Sequence, residues 1–286
     1  MTSMQDIRRR IKSVKNTQKI TRVMKMVSAS KLRRIQNNLN IALPYSERIA
    51  GILNHFLTND IEIKNSYIKG HKIVKKACYI VVSADDGLCG GYNNNLNKFA
   101  FTSVKAEELP YKLLILGSKA KEYFEHRHLF ADESFVDWGD NPSFFQAKQL
   151  ALMAMDMFDK GEVDKVYLIY TQFISGLSQV PVCQQILPVV PTLGGECFTR
   201  TVEYIFEPNK EELLAGFVPQ YIEVVVYRAL LEAKASEQRA RMTAMSAATD
   251  NADDIIDNLT LILNRVRQAA ITTEISEIVS GAAALS

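Results

Sequence analysis

The last third of the chain contains a run of 61 residues, 220–280, without a single glycine or proline. Since these two residue types interrupt helices most strongly, the run predicts one continuous helix about 90 Å long. Apolar and small side chains recur in it at alternating spacings of three and four residues: Met242, Met245, Thr249, Ala252, Ile256, Leu259, Leu263, Val266 and Ala270. A seam with an average period of 3.5 residues is typical of a helix that winds left-handed around a partner helix.

The N-terminal part of the chain offers that partner. All eight prolines and twelve of the thirteen glycines lie between Pro44 and Pro219, so residues 4–43 also read as an uninterrupted helix. Its apolar positions follow the same pattern: Ile7, Ile11, Val14, Met24, Val27, Leu32, Ile35, Leu39 and Ala42. We expect a kink at Pro44, with helix continuing to about Leu57. Two such helices, residues 1–60 and 208–286, bury their seams most simply against each other as a long antiparallel coiled coil.

The middle of the chain, residues 70–200, predicts an α/β domain. Continuous apolar runs typical of buried strands alternate with helical stretches. The predicted strands are 77–83, 111–116 and 166–170, and the predicted helices are 96–107, 118–126 and 143–159. This order indicates an inserted, Rossmann-like domain with an open, mostly parallel sheet. Residues 166–174 and 179–189 are expected to form an antiparallel hairpin, with Pro181 marking the second strand as the sheet edge.

Charge placement suggests a register for the coiled coil. Residues 1–36 hold eleven Lys and Arg but one acid, so they carry +10 within a chain of net charge +2. The densest acidic patch on the C-terminal helix comprises Asp250, Asp253, Asp254 and Asp257. Placing it opposite the basic run Arg8–Lys12 relieves both sets of like charges and brings Met24 level with Arg241 and Met242.

This register leaves the end of the C-terminal helix without a partner in the chain. About 20 residues, or roughly 30 Å of helix, extend beyond the N-terminal helix. They are apolar or small on most faces, including Ile271, Ile275, Ile278 and Val279. A helix that is apolar all round has to be buried, so we expect other subunits to surround this tip.

No catalytic, cofactor or metal site is predicted. The glycine-rich loop Asp85–Gly91 lacks a phosphate-binding pattern and carries two aspartates, so it is interpreted as a structural turn. His126 and His128 have no third ligand at a suitable spacing. The four cysteines are scattered and no secretory signal is apparent, which favours reduced thiols and a cytoplasmic protein.

The basic N-terminal helix has several interpretations. Nucleic acid, anionic lipid or acidic protein loops could each bind it. Two alternatives therefore stand beside a structural rod: a nucleotide-binding α/β protein with helical arms, and a coiled coil that binds RNA or DNA.

Motifs along the whole chain resemble the gamma subunit family of the F-type ATP synthase. The C-terminal segment ITTEISEIVSGAAA, residues 271–284, matches the family signature, and further matches lie at both ends and in the middle. These are residues 7–11, 21–27, 30–32, 87–91, 178–181, 204–208, 235–242 and 247–252. One departure is Asp86, where the family usually has arginine, which puts any salt link made by that arginine in question.

The resemblance implies a non-catalytic rotor shaft, present in one copy per complex. The coiled coil would turn inside a ring of three alpha and three beta subunits, with its tip in an apolar sleeve. The α/β domain would form a foot bound to the epsilon subunit and the membrane c-subunit ring. No nucleic acid is implied, and the location would be the cytoplasmic face of a bacterial cell membrane.

The resemblance also implies roles for individual residues. Contact and coupling with the alpha/beta ring would involve Met24, Arg241, Arg267, Gln268, Thr272 and Glu274. A basic face toward acidic loops of the beta subunits would comprise Arg8, Arg9, Lys12, Arg33 and Arg34. Contact with the membrane ring would involve Tyr204, Phe206 and Glu207.

Overall fold

The computed structural model describes residues 4–59, 65–71, 73–107, 109–174, 179–190 and 210–285. The chain divides into two compact units. Met1–Ser28 with Arg241–Ser286 form what we call the helical unit, and Ala29–Ala240 form the sheet unit. Two long helices, α1 (Met4–Asn59) and α6 (Lys210–Leu285), contribute to both units.

Both long helices run through a proline. Helix α1 continues past Pro44 to Asn59, which confirms the predicted continuation. Helix α6 begins at Lys210, nine residues before Pro219, so Pro219 does not start it. A proline inside a helix removes one backbone donor, and the apolar packing on either side of it offsets that loss: Leu214, Val218 and Ile222 are all buried in the core.

The sheet unit contains a five-stranded sheet of order β3-β2-β1-β4-β5. Its strands are β1 (Ala77–Val82), β2 (Tyr111–Leu116), β3 (Glu133–Phe135), β4 (Lys165–Phe173) and β5 (Gln179–Leu187). Strands β1 to β4 are parallel, and β5 pairs antiparallel with β4 at the edge, as the hairpin and Pro181 predicted. The expectation of a mostly parallel sheet between long terminal helices is confirmed.

Strand β3 was not predicted. All three of its residues are exposed, so it lacks the apolar run that marked the other parallel strands. Its backbone pairs in parallel with β2 over Leu114–Leu116. Edge strands of this length carry almost no pattern of their own.

Four shorter helices complete the sheet unit: α2 (Ser66–Lys69), α3 (Tyr92–Ala106), α4 (Ser118–Glu125) and α5 (Phe144–Asp159). Helices α3 and α4 cover one face of the sheet, where Leu96, Ala100 and Phe124 pack against alternate strand residues. Helix α5 and part of α6 cover the other face, in a larger core that includes Phe158 and Ile222. The sheet is thus buried on both sides, which explains why all six residues of β1 are buried.

Local sequence explains where two of these helices begin. Ser143 and Gln146 form a capping box at the start of α5, in which each side chain accepts from the other residue's backbone N–H. Gly117 precedes α4 with φ of 97°, and a Cβ there would lie 2.5 Å from the carbonyl oxygen of Ser83. Only glycine allows that close approach between the ends of β1 and β2.

Within the described residues, one helix, over Glu212–Ser280, is long and apolar enough to cross a membrane by length and composition. Half of its most apolar window is buried inside the protein. Val218, Ile222, Val226 and Leu230 belong to the core of the sheet unit. Packing against the sheet therefore accounts for this apolar stretch.

Candidate functional site

The carboxyl ends of β1 and β4 form the crevice where open α/β sheets usually bind nucleotides, because the chain turns to opposite sides of the sheet there. In this protein helix α6 lies at that edge. The Tyr92 hydroxyl, at the start of α3, donates to the Ala233 carbonyl over 3.0 Å. Ser236 Oγ donates to the carbonyl of Thr171, near the end of β4, over 3.1 Å. The position that a nucleotide would need is thus occupied by the chain's own helix.

The hydrogen-bond donors beside the glycine-rich loop after β1 are bonded by the protein itself. Asp85 Oδ1 accepts hydrogen bonds from Ser118 N, Ser118 Oγ and Asp137 N at 3.0–3.1 Å. The amino end of α4 would otherwise attract an anion such as phosphate. Because the Asp85 carboxylate already occupies those donors, the geometry supports the interpretation of this loop as a structural turn.

The shifted ionisable groups in the core do not suggest catalysis. Burial, followed by the neighbouring Asp132 charge, raises the pKa of the Cys78 thiol to about 12, which leaves it unreactive. Burial and a hydrogen bond to Glu107 raise the pKa values of Tyr79 and Tyr167, which both donate to that carboxylate at 2.9 Å. Among the described residues, no three His, Cys, Asp or Glu side chains are grouped so that they could hold a metal ion.

In the helical unit, α1 and α6 run antiparallel and are joined by polar contacts. The hydroxyls of Thr21 and Thr249 lie 2.8 Å apart, and both residues are buried. Lys25 Nζ donates to Ser246 Oγ over 2.9 Å, and Gln18 donates to Asp253. These contacts fix the register of the pair.

The observed register differs from the predicted one. Residue 24 lies level with about residue 247, so the helices are displaced by about six residues, or ~9 Å, from the register that placed Met24 beside Arg241. Arg8, Arg9 and Lys12 are therefore not opposite the acidic cluster of Asp250–Asp257. Exposed ion pairs contribute little to stability, so the charge pattern does not outweigh the packing of the buried seam, in which Thr21 meets Thr249.

The predicted seam on α6 is confirmed from Met242 to Val266, where every third or fourth residue is buried or half-buried. Ala270 is exposed. On α1 the seam passes through Thr21 and Ser28, which are 8% and 2% exposed, instead of Val27. The apolar pattern alone pointed to the wrong residue because the buried seam positions here are polar.

Val27 belongs to a second, exposed apolar stripe, which the sequence pattern did not distinguish from the seam. Ile20, Val23 and Val27 follow spacings of three and four residues and are 60%, 53% and 48% exposed. This stripe lies on a different face of α1 from the seam. The only sequence signal for this stripe was that α1 contains more apolar residues than a single coiled-coil seam can bury.

The tip of α6, residues 267–280, has no other part of the described chain packed over it. All residues from 267 to 280 are exposed, including Ile271, Ile275, Ile278 and Val279. The predicted contact residues Arg267, Gln268, Thr272 and Glu274 lie on this tip, and the Thr272 hydroxyl donates to the Gln268 carbonyl over 3.0 Å. The structure thus brings these four together on one exposed segment.

The remaining predicted site residues have different surroundings. Met24 is half-buried, and Arg241 is 7% exposed. In the helical unit Arg8, Arg9 and Lys12 are exposed, and Arg9 pairs with Asp6 over 3.0 Å. Arg33 and Arg34 are exposed in the sheet unit. Tyr204, Phe206 and Glu207 lie outside the described residues.

Comparison with known proteins gives a consistent result over the full length. The model of the family described as ATP synthase matches residues 3–285. Proteins named ATP synthase gamma chain are similar from end to end, with all of each chain aligned. The identities are 44% for Desulfitobacterium hafniense, 46% for Desulforamulus reducens and 42% for Acinetobacter baumannii.

Solved structures show the same architecture. A chain in the central stalk and c-ring of the Tetrahymena thermophila mitochondrial ATP synthase has a TM-score of 0.62 and 26% identity, covering 80% of this chain and 99% of that one. A chain in the Euglena gracilis mitochondrial ATP synthase has a TM-score of 0.67, covering 99% and 94%. Its 16% identity supports the fold alone. With the family matched over nearly every residue and relatives at 42–46% identity, the chain belongs to the ATP synthase gamma chain family.

Proposed function

We propose that this chain is the central rotor shaft of an F-type ATP synthase and is not itself catalytic. It would couple rotation of the membrane ion-conducting ring to conformational changes at the catalytic sites of the alpha/beta ring. The observation that carries the proposal is the bare apolar tip of α6. Ile271, Ile275, Ile278 and Val279 are 47–66% exposed in the chain alone. Isolated helices of this length are marginal in water, so such a tip needs a surrounding protein sleeve.

The proposed partners are three alpha and three beta subunits around one copy of this chain, with the epsilon subunit and the c-subunit ring at the sheet unit. The exposed stripe of Ile20, Val23 and Val27 offers a further apolar contact for the ring. Met24, Arg241, Arg267, Gln268, Thr272 and Glu274 would contact and couple to the ring. Acidic loops of the beta subunits would face Arg8, Arg9, Lys12, Arg33 and Arg34, while Tyr204, Phe206 and Glu207 would contact the c-ring. The setting would be the cytoplasmic face of a bacterial membrane.

The proposed mechanism follows from the asymmetry of the helix pair. Its sides differ in chemistry, with an apolar stripe at Ile20–Val27 and exposed acids at Asp250, Asp254 and Asp257. Each of three identical catalytic subunits would therefore meet a different surface at a given angle. Because the shaft contacts the conformations of those subunits differently, rotation would shift their affinity for nucleotide.

The test uses the chain expressed with the other subunits of its complex. Ile275→Glu combined with Ile278→Glu places two charges on the tip, where both side chains are more than half exposed. Stability of the free chain should not change, since neither residue is packed. Assembly with the alpha and beta subunits, measured by co-purification, should fall at least tenfold, because a buried unpaired charge is costly.

Ile73→Glu is the matched control, because Ile73 is 67% exposed in the sheet unit. It should leave assembly with the alpha and beta subunits unchanged. A tip double variant that assembles as well as the unmodified chain would refute the sleeve.

A further inference from the structure

One stretch of α6 is buried on every side and yet is half polar. All ten residues of Ala229–Gln238 are buried. Five of them are polar or charged: Glu232, Lys234, Ser236, Glu237 and Gln238. Helices buried all round are normally apolar, so the composition of this stretch calls for a reason other than core packing.

Two buried hydroxyl contacts tie this stretch to the carboxyl edge of the sheet. Tyr92, which is 7% exposed, donates to the Ala233 carbonyl from the start of α3. Ser236, which is fully buried, donates to the Thr171 carbonyl of β4. The two contacts come from different elements, α3 and β4. They bond α6 at Ala233 and Ser236, which are three residues apart. Together they fix both the position of α6 along its axis and its rotation about that axis.

The charged residues add further fixed points. Lys234 Nζ lies 3.0 Å from the Glu237 carboxylate and 5.2 Å from the centre of the Trp138 ring, which belongs to the loop after β3. Glu232 pairs with Arg228 over 2.7 Å, and the backbone N–H of Phe173, at the end of β4, also favours the charged form of this buried carboxylate. The loop after β3 and the end of β4 therefore each interact with a charged side chain of α6.

Buried polar contacts of this kind add little to the free energy of folding compared with apolar packing. Replacing a buried ion pair with apolar residues of similar volume is often neutral or stabilising. Hydrogen bonds differ from apolar contacts in being directional, so they resist sliding and rotation that apolar surfaces allow. A polar cluster that adds little stability is best explained by the geometry that it enforces.

We propose that Tyr92, Lys234 and Ser236 are positioning residues that lock α6 against rotation relative to the sheet. The lock would carry torque from the β-sheet into α6. This inference rests on the proposed rotor function, and it adds the site where the load passes from one element to another. None of the three residues need touch a partner subunit for that role.

The test uses the complete complex in sealed membrane vesicles. ATP hydrolysis and ion uptake are measured together while the opposing ion gradient is raised stepwise. In the double variant Tyr92→Phe with Ser236→Ala, coupling should equal that of the unmodified complex at zero gradient. Under a high gradient, the fraction of hydrolysis not matched by ion uptake should rise about fivefold for each hydroxyl removed.

A matched control removes the same two hydroxyl types where they do not bond α6. The Tyr167 hydroxyl donates to Glu107, which follows α3, and Ser83 Oγ donates to the Leu116 carbonyl on β2. Tyr167→Phe with Ser83→Ala should lower thermal stability at least as much, yet keep the coupling of the unmodified complex at every gradient. Ser236→Thr, which retains a hydroxyl, should restore coupling that Ser236→Ala loses.

The outcomes separate the two proposals. If both double variants show the same dependence on the gradient, the hydroxyls only stabilise the fold and the lock is refuted. If a double variant fails to assemble, Ser236→Ala against Ser236→Thr still decides, since equal coupling in those two refutes the lock. An unmodified complex that couples no hydrolysis to ion uptake would instead overturn the rotor function itself.

Discussion

At the scale of single residues, Asp85 joins three parts of the sheet unit through one oxygen atom. It follows β1, caps the amino end of α4 through Ser118, and accepts from Asp137 beyond β3. Gly117, the residue before α4, makes no side-chain capping bond of its own. The cap is therefore supplied from 33 residues away in the sequence.

Replacing Asp85 by alanine should destabilise the isolated chain by about 2–3 kcal/mol, because three donors lose a charged acceptor together. Urea unfolding followed by circular dichroism measures the change. Asp137→Asn serves as the control, since only the backbone N–H of Asp137 takes part and asparagine tolerates its positive φ of 56°. Equal losses from the two substitutions would show that the carboxylate of Asp85 has no capping role.

Asp164 is a second carboxylate with a structural role. One oxygen accepts from the backbone N–H groups of Lys75 and Lys76, and the other lies 2.7 Å from His71 Nδ1. Burial alone would raise the pKa of Asp164, but the hydrogen bonds from Lys75, Lys76 and His71 outweigh it and lower that pKa. The segment before β1 is thereby tied to the start of β4.

Asp164→Asn should reduce the free energy of unfolding by about 1–3 kcal/mol at pH 7. The native pKa lies below the unfolded value of about 3.9, so the native state binds fewer protons than the unfolded state. The advantage of the original residue should be full above that value and shrink as pH falls through the native pKa. Denaturant unfolding of both proteins between pH 3 and 8 tests this, and a difference that grows on acidification would contradict it.

At the scale of elements, the register of the helical unit depends on polar seam residues. Each hydroxyl has a single proton, so one of the two donates across the pair. The other donates within its own helix, to the Gln18 carbonyl from Thr21 or to the Met245 carbonyl from Thr249. Their meeting across the helices is therefore a matter of register and packing. Apolar residues at these positions would bury as well but would allow neighbouring registers.

Cysteines at positions 21 and 249 should form a disulfide readily, because the two threonine hydroxyls are 2.8 Å apart. The pair Met24→Cys with Arg241→Cys, which the charge-based register favours, should stay largely reduced. Oxidation followed by mass analysis of the linked peptides gives the answer. Preferential linkage of 24 to 241 would restore the charge-based register.

Helices and strands were predictable from the sequence where their hydrophobic pattern extended over many residues. Strands β1 and β2 and the helix α5 were expected nearly at their observed bounds, because continuous apolar runs and a serine cap mark them. Strand β3 has only three exposed residues, and the seam of α1 substitutes Ser28 for the more apolar Val27. Strand β3 depends on its pairing with β2, and the seam of α1 depends on its pairing with α6. Local sequence encodes neither pairing.

At the scale of the whole molecule, one helix has two very different environments. Residues 229–238 of α6 are enclosed in the sheet unit, while residues 267–280 have every side chain exposed. Backbone amides are protected to the extent that opening them disrupts packing. The same regular helix should therefore show a steep gradient of local stability.

Hydrogen exchange of the isolated chain should show amides of residues 229–238 protected at close to the stability of the whole sheet unit. Amides of residues 270–280 should be protected less than about tenfold, since a short unpacked helix is marginal in water. Peptide-resolved mass spectrometry measures both regions. Strong protection of the tip in the isolated chain would mean that it needs no sleeve.

The candidate interaction surface was predictable to different degrees. The bare tip was expected from the uninterrupted apolar helix and the shorter N-terminal partner, because both are properties of the local sequence. The stripe of Ile20, Val23 and Val27 was not separable from the seam, since only pairing decides which apolar residues of a helix are buried. Arg241 was expected to face a partner, yet it is 7% exposed in the chain alone.

The sequence by itself determined the two long helices, the parallel sheet between them and the family, because periodicity, breakers and motifs are local properties. Tertiary structure decided the coiled-coil register, the cap that Asp85 gives to α4, and the placing of α6 in the crevice at the sheet edge. Each of these joins residues far apart in the chain, such as Thr21 with Thr249. Their energies depend on burial and exact partner geometry, and those exist only once the chain has folded.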